Sequence, residues 1–404
     1  MSDRLVVSSS YWDRLGWDLT ELILSYLPLR SMLRASAVCK AWRNVLLALA
    51  ASEHGRRGHG RPWLFLHGHN NVATRLARTA FAYDPDDADA DADADGDSWV
   101  SFTLPPDCFA GAGGLAFASP SPSRLAFAPL LREGDAAWRH APPLASSRCN
   151  PVVAAVPSSS SPGGGLSFLV VGGARFVGGL VDIEDRLPTE LYDPAAAGGS
   201  PGWEQCAPLP AEFGTGSCSS SLWLSSALVR GRSLFVCGTY SRTVSAFDLR
   251  RRAWTAPREL RPAPGLVAAF VASGRGGARL VLAGVEEGGL ALGVWDVDPD
   301  TLAARKVGEM PPEMAARMLP GSVRCVGQDG VLYVVSEEQH RGYPSCACEI
   351  TDQLACRWRK LPPLPAAALS RFHKMVAFCS PVLLRHHLRP HAAQSVNIAG
   401  PAID

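Results

Sequence analysis

The sequence predicts a mainly β protein: a small N-terminal unit of three helices, then a six-bladed β-propeller closed by a strand from near the C-terminus. Three observations carry this expectation. Residues 12–51 place apolar side chains at helical spacing. From Trp63 onward, short runs of Val, Leu, Phe and Tyr are broken by Gly, Pro, Ser and Asp, the texture of short antiparallel strands. Across that second part a tryptophan followed within a few residues by proline recurs, which marks a repeat.

The helical segment comes first. Asp18-Leu19-Thr20-Glu21 has the form of a capping box, with Asp18 accepting from the N–H of Glu21. Leu19, Leu22, Ile23, Tyr26 and Leu27 recur at i, i+3, i+4, i+7 and i+8, one apolar stripe. Pro28 stops this helix, because the residue before a proline is pushed out of the α region. Ser31 is expected to cap a second helix through Ala37. A third carries Val38, Trp42, Val45, Leu46 and Leu49 on one side. So short a segment rarely holds a core without a metal, a disulfide or a partner. With Cys39 its single cysteine and no metal cluster, a partner is expected to complete it.

The repeat organises the rest. Trp99 leads to Leu104-Pro105-Pro106, Trp138 to Pro142-Pro143-Leu144, Trp203 to Pro208-Leu209-Pro210, Trp254 to Pro257 and Trp358 to Pro362-Pro363. Lys306, followed by Met310-Pro311-Pro312, stands where a sixth tryptophan is missing, and the spacings run 39, 65, 51, 52 and 52. Aromatic–Asp pairs precede most anchors: Tyr83-Asp84, Tyr192-Asp193, Phe247-Asp248 and Trp295-Asp296. Six anchors imply six blades, and radial packing lets each sheet bury both faces against its neighbours. The first sheet lacks an innermost strand, because Trp63 follows directly on a polar, glycine-rich stretch. The strand-like run Phe372–Phe378 is expected to fill that place and close the ring.

Two sets of residues carry a resemblance. Leu15, Asp18-Leu19, Ile23-Leu24, Leu27-Pro28-Leu29 and Val38-Cys39-Lys40-Ala41-Trp42-Arg43 resemble an F-box. One departure is Leu15-Gly16, where that family usually has Leu-Pro; glycine lacks proline's fixed φ, so weaker adaptor binding is expected. The tryptophan repeat resembles kelch repeats, although only Gly172-Gly173 keeps a double glycine. Longer phrases, Trp63 to Asn71, Val170 to Phe176 with Leu180 to Arg186, Trp223 to Leu228, Tyr343-Pro344 with Cys348 to Ile350, and Arg371 to Lys374, look like the plant kelch-repeat F-box branch that includes receptors for chalcone synthase.

The resemblance implies a tail at 1–11, an F-box at 12–51, a linker at 52–62, a kelch-type β-propeller at 63–384 and a tail at 385–404. It implies a non-catalytic substrate-recognition subunit of a Skp–cullin–F-box ubiquitin ligase. Leu15, Leu19, Ile23, Leu27, Pro28, Leu29, Val38, Cys39 and Trp42 would hold a Skp-type adaptor, and through it cullin and RING subunits. The propeller would hold a protein substrate, chalcone synthase or another enzyme of phenolic metabolism, with no cofactor. The substrate-contacting residues stay unassigned. The alternatives are a propeller enzyme with a site in the central channel, or a scaffold that works without the adaptor.

Composition narrows the remaining classes. A net charge of +1 gives no electrostatic footprint for nucleic acid. The longest apolar run, Val45 to Ala51, is too short to span a bilayer, and Met1 to Ser10 lacks the apolar core of a secretory signal. The cytosol or nucleus is the expected location, where eleven scattered cysteines would be free and mostly buried. Cys346-x-Cys348 with Cys356 does not have zinc-site spacing. Asp91-x-Asp93-x-Asp95-Gly96 copies the start of a Ca²⁺ loop but has Phe102 at the twelfth position, so residues 84–97 read as a solvated loop. Gly214-x-Gly216 lacks the third glycine of a nucleotide loop. His67 and His69 read as surface residues at a strand end, and Arg250-Arg251-Arg252 as a solvated turn.

Overall fold

The computed structural model describes residues 16–52, 60–69, 79–86, 99–105, 107–131, 138–158, 165–177, 180–182, 186–194, 202–338, 342–365 and 374–388. They fall into two compact units, one of Met1–His59 with Leu383–Asp404 and one of Gly60–Val382.

The first unit is helical: α1 Trp17–Ser25, α2 Leu29–Ala35 and α3 Lys40–Ala51. The expected capping box does not form. Helix α1 begins two residues earlier, with Gly16 as its N-cap, so Asp18 sits inside the first turn and acts on the helix dipole instead. Ser31 likewise lies inside α2, whose N-cap is Pro28 and whose last residue is Ala35. Helix α3 is capped by Cys39, whose sulfur accepts from the Trp42 N–H at 3.4 Å.

A further finding corrects the domain boundaries. Leu384, expected to end the propeller, and residues 385–388, expected to open a C-terminal tail, form the helix Leu384–Leu388, which packs on α2 and α3. Leu384 and Leu388 are buried with Leu24, Leu29, Met32, Val45, Leu46 and Leu49, and Arg43 donates to the Leu388 carbonyl at 3.5 Å. The chain itself thus supplies part of the core that the N-terminal segment lacks.

The second unit is a six-bladed propeller, with strands a to d counted from the centre. Blade 1 comprises Lys374–Ser380, Trp63–His69, Thr79–Tyr83 and Trp99–Thr103. Blade 2 comprises Cys108–Ala112, Leu115–Ser121, Arg124–Pro129 and Arg139–His140; blade 3, Val152–Pro157, Leu166–Val171, Thr189–Tyr192 and Glu204–Cys206. Blade 4 comprises Leu224–Val229, Ser233–Gly238, Thr243–Asp248 and a split d strand, Ala253–Trp254 with Arg258–Glu259. Blade 5 comprises Leu266–Ser273, Leu280–Glu286, Leu292–Val297 and Ala304–Glu309; blade 6, Val323–Gln328, Val331–Ser336, Ser345–Ile350 and Cys356–Lys360. The a strands lie side by side around the axis, and the apolar clusters sit between successive blades.

The ring closes as expected. Lys374–Ser380 pairs antiparallel with Trp63–His69 along its whole length, from Trp63 opposite Ser380 to His69 opposite Lys374. Phe372 and His373 lie outside the described residues. His67, expected at the surface, is fully buried in this pairing. Gly60 to Pro62 are also part of the ring rather than linker. Arg61 pairs with Asp86 at 2.8 Å and Glu349 at 3.4 Å, and the Tyr333 hydroxyl donates to the Pro62 carbonyl at 2.7 Å. Gly60 has φ +80°, and a Cβ there would lie 1.8 Å from the Asp86 carboxylate, so only glycine fits.

The tryptophan repeat has a physical basis in three blades. Trp99, Trp203 and Trp254 lie at or next to the start of their d strands, beside an aromatic residue in the last two positions of strand c, with ring centroids 5.5, 5.3 and 5.3 Å from Tyr83, Tyr192 and Phe247. Each indole N–H then donates to a carbonyl just past the d strand of the preceding blade: Pro362 at 3.1 Å, Pro142 at 2.8 Å and Ala207 at 3.1 Å. Tryptophan is therefore an inter-blade staple. The even 52-residue spacing misleads for blades 5 and 6. Ala304 and Cys356 occupy the staple position there, opposite Val297 and Ile350, while Lys306 and Trp358 lie two residues further on. The turn-forming carboxylate of blade 5 is accordingly Asp298, which accepts from the N–H groups of Asp300 and Thr301, and not Asp296. Blade 3 also holds a buried ion pair, in which Arg148 bonds Glu190 and the Gly172 carbonyl while Glu190 accepts from the Ala145 N–H at 2.8 Å.

Pro312–Met318 forms a helix between blades 5 and 6, where only strands and loops were expected. Proline at its first position, Glu313 in its first turn and Arg317 in its last are ordinary helix signals. Arg250-Arg251-Arg252 is a turn as expected, held by Asp248 accepting from the N–H groups of Arg250 and Arg251. Residues 87–97 of the acidic loop lie outside the described residues.

Candidate functional site

Helix α1 is built inside out. Its buried residues are Thr20 and Leu24, while Trp17, Leu19, Leu22, Ile23 and Tyr26 are all at least 42% exposed. The apolar stripe legible in the sequence thus points away from the core of its own unit. Val38, just before α3, is 65% exposed. Large apolar side chains grouped in this way mark an interaction surface.

The remaining expected adaptor residues divide by position. Cys39 is exposed, Leu27, Pro28 and Trp42 are half-buried, and Leu29 is buried beneath them. Leu15 lies outside the described residues. The sequence assigned Leu22, Tyr26 and Trp17 no contact role; the same i, i+3, i+4 spacing could have found the first two.

The second candidate is the propeller channel, a cavity of about 170 Å³. Its described lining contains no carboxylate and no histidine. Its one charged side chain is Arg324, which donates to the Ser221 and Leu222 carbonyls at 3.2 and 3.1 Å and faces Glu337 at 3.5 Å. Cys325 and Cys379 also line it, and burial pushes both thiols up, away from thiolate chemistry. Elsewhere burial pushes Cys108, Cys237 and Cys346 up to about 12. All eleven cysteines are free of disulfides.

Comparison with known proteins fits this division. Residues 12–49 match the F-box domain. The chain therefore joins an F-box to a six-bladed, mainly β propeller. It is 29% identical over 361 residues to an F-box/kelch-repeat protein of Arabidopsis thaliana, covering 85% of this chain and 84% of that one. Among solved structures, a protein from Lactobacillus plantarum aligns at TM-score 0.42 and 12% identity, over 75% of this chain and 82% of that one. A protein of unknown function from Bacteroides caccae aligns at 0.39 and 12%, over 79% and 98%. These two likenesses carry no functional weight.

Proposed function

We propose that this protein is the substrate-recognition subunit of a Skp–cullin–F-box ubiquitin ligase. The outward apolar stripe of α1, inside a segment that matches the F-box domain, carries the reading. Leu19, Ile23, Val38 and Cys39 form its exposed contacts with a Skp-type adaptor. Leu27, Pro28 and Trp42 form the edge, Leu29 supports them from below, and Leu15 extends the contact. Cullin and RING subunits follow through the adaptor. The propeller presents the substrate, in a non-catalytic role. No helix among the described residues is long and apolar enough to cross a membrane. The proposed place of work is the cytosol or nucleus.

Chalcone synthase, or another enzyme of phenolic metabolism, is the proposed substrate. The support is the set of sequence phrases, from Trp63 to Lys374, that resemble that receptor branch. Overexpression in plant tissue is expected to shorten the half-life of chalcone synthase. An unchanged half-life with adaptor binding intact would refute the substrate while leaving the receptor role.

The receptor role has its own test. Each Leu or Ile buried at the adaptor contributes about 1.5–3 kcal/mol. The double variant Leu19→Asp/Ile23→Asp is therefore expected to weaken adaptor binding by more than about a hundredfold with no change in propeller melting. Adaptor binding that survives it contradicts the assignment.

A further inference from the structure

The antiparallel order of each blade sends the b–c loops and the d–a connections to one rim of the ring, and the a–b and c–d loops to the other. Seven large apolar residues of the ring are exposed: Phe176, Val177, Leu180, Trp223, Tyr240, Val267 and Leu290. All seven belong to the first rim. Phe176, Val177 and Leu180 form a small hairpin in the b–c loop of blade 3. Trp223 and Tyr240 flank blade 4, with ring centroids 5.5 Å apart, and Val267 and Leu290 flank blade 5. No exposed large apolar residue lies on the opposite rim among the described residues. That rim instead carries ion pairs such as Arg230–Asp300 and Arg275–Asp352.

The loops that carry these side chains are tied to one another by backbone hydrogen bonds. Gly173 donates to the Ser219 carbonyl at 2.8 Å, which ties the blade 3 hairpin to the connection leading to Trp223. Gly172 has φ +60°, and a Cβ there would lie 2.2 Å from that same carbonyl. Thr239 donates to the Trp223 carbonyl, and Ala269 to the Thr239 carbonyl, both at 2.8 Å. Glu287 donates to Gly265 at 2.6 Å and fixes the loop of Leu290 beside Val267. The apolar side chains are therefore pre-positioned, which lowers the ordering cost of binding.

Charge identifies the occupant. Asp182 faces Arg175 at 3.6 Å, and Glu259 bonds both Arg242 and Arg261, at 3.1 and 2.5 Å. Each of these cations is held by a carboxylate of the sector, Arg242 and Arg261 sharing Glu259, and an acidic or phosphorylated motif would have to displace those carboxylates. We propose that blades 3 to 5 of this rim bind a protein segment through its aromatic and aliphatic side chains, without phosphorylation and with little net charge. The assignment rests on the receptor reading and names the chemistry of its substrate.

The test pans a displayed random-peptide library on the full-length chain and follows selected peptides by fluorescence anisotropy. Enriched sequences should be rich in Trp, Phe, Leu and Ile with net charge near zero. Their affinity should change less than about twofold between about 0.05 and 0.5 M salt. It should fall at least about tenfold in Trp223→Ser/Tyr240→Ser and in Phe176→Ser/Leu180→Ser, two separate loops, and stay within about twofold in Arg275→Ala on the other rim. Acidic or phosphomimetic selections, salt-sensitive affinity, indifference to both double variants, or no enrichment would each overturn it. So would a dimer of this chain that both double variants abolish. Adaptor binding is measured in parallel: its failure beside rim-dependent peptide binding removes the receptor role and leaves the surface. Retained adaptor with rim-independent peptides removes the surface alone.

Discussion

The helical unit and the ring treat their apolar residues in opposite ways. In α1 the regular stripe faces outward and the unit borrows Leu384 and Leu388 from the far end of the chain to complete its core. In the ring the regular features face inward: tryptophan staples join blades, a buried Arg148–Glu190 pair pins blade 3, and a C-terminal strand closes the circle. The ring completes its own core, while the helical unit leaves its regular apolar stripe uncovered. Apolar periodicity alone does not say which side of a helix is the core; the packing of α2, α3 and the C-terminal helix decides it.

The strongest way to separate the two units is truncation. Removing 374–404 takes the a strand from blade 1 and exposes a sheet edge, and the protein is expected to aggregate on expression. Removing only 383–404 should leave the ring's melting transition in place, because Ser380 and Val382 remain. The helical unit alone should loosen, since burying Leu384 and Leu388 contributes about 1.5–3 kcal/mol each; amide exchange in α2 and α3 would read it. Equal damage to the ring in both truncations would break the distinction.

Next in size is the blade 3 ion pair. Glu190→Gln leaves the Arg148 guanidinium, already held below its usual range by burial, without its counter-charge. A loss of about 3–5 kcal/mol in ring stability is expected by denaturant unfolding, with adaptor binding unchanged.

The staple hypothesis is sharpened by a pair of matched substitutions. Trp203→Phe removes the N–H that satisfies the Pro142 carbonyl. The buried indole N–H of Trp358 has no acceptor among the described residues. Trp203→Phe should therefore cost about 1 kcal/mol or more beyond Trp358→Phe. Equal costs would reduce the repeat to simple packing.

The smallest effect concerns Gly16. It already holds φ −62° and ψ 158°, within proline's range, and Pro28 and Pro311 fill the same N-cap position at φ −55° and −54°. Gly16→Pro is expected to stabilise the helical unit by about 0.4–1 kcal/mol, seen as slower amide exchange in α1. The departure from the usual Leu-Pro thus concerns the unfolded chain more than the folded geometry.

Much of this was legible because it repeats. Six blades, their closure by the strand near Met375 and the α1 stripe all follow from spacing. What stayed hidden depends on contacts between distant residues. Nothing local in Leu384–Leu388 announces that it pairs with α3, and His67 reads as polar although both its neighbouring strands cover it. The apolar rim was equally invisible, because Phe176 and Leu290 are 114 positions apart in separate loops and share no period. The 52-residue regularity over Trp254, Lys306 and Trp358 hides a change of position, for blades 5 and 6 shift the bulky residue by two positions.

The central claim, that α1 presents an adaptor surface which the ring does not share, is tested most directly by calorimetric titration of a purified Skp-type adaptor into the full chain, into Leu19→Asp/Ile23→Asp and into residues 60–382. A one-to-one complex with the full chain, lost in both other samples while the ring melts normally, is the expected result. Heat of binding from residues 60–382 equal to that of the full chain would contradict it.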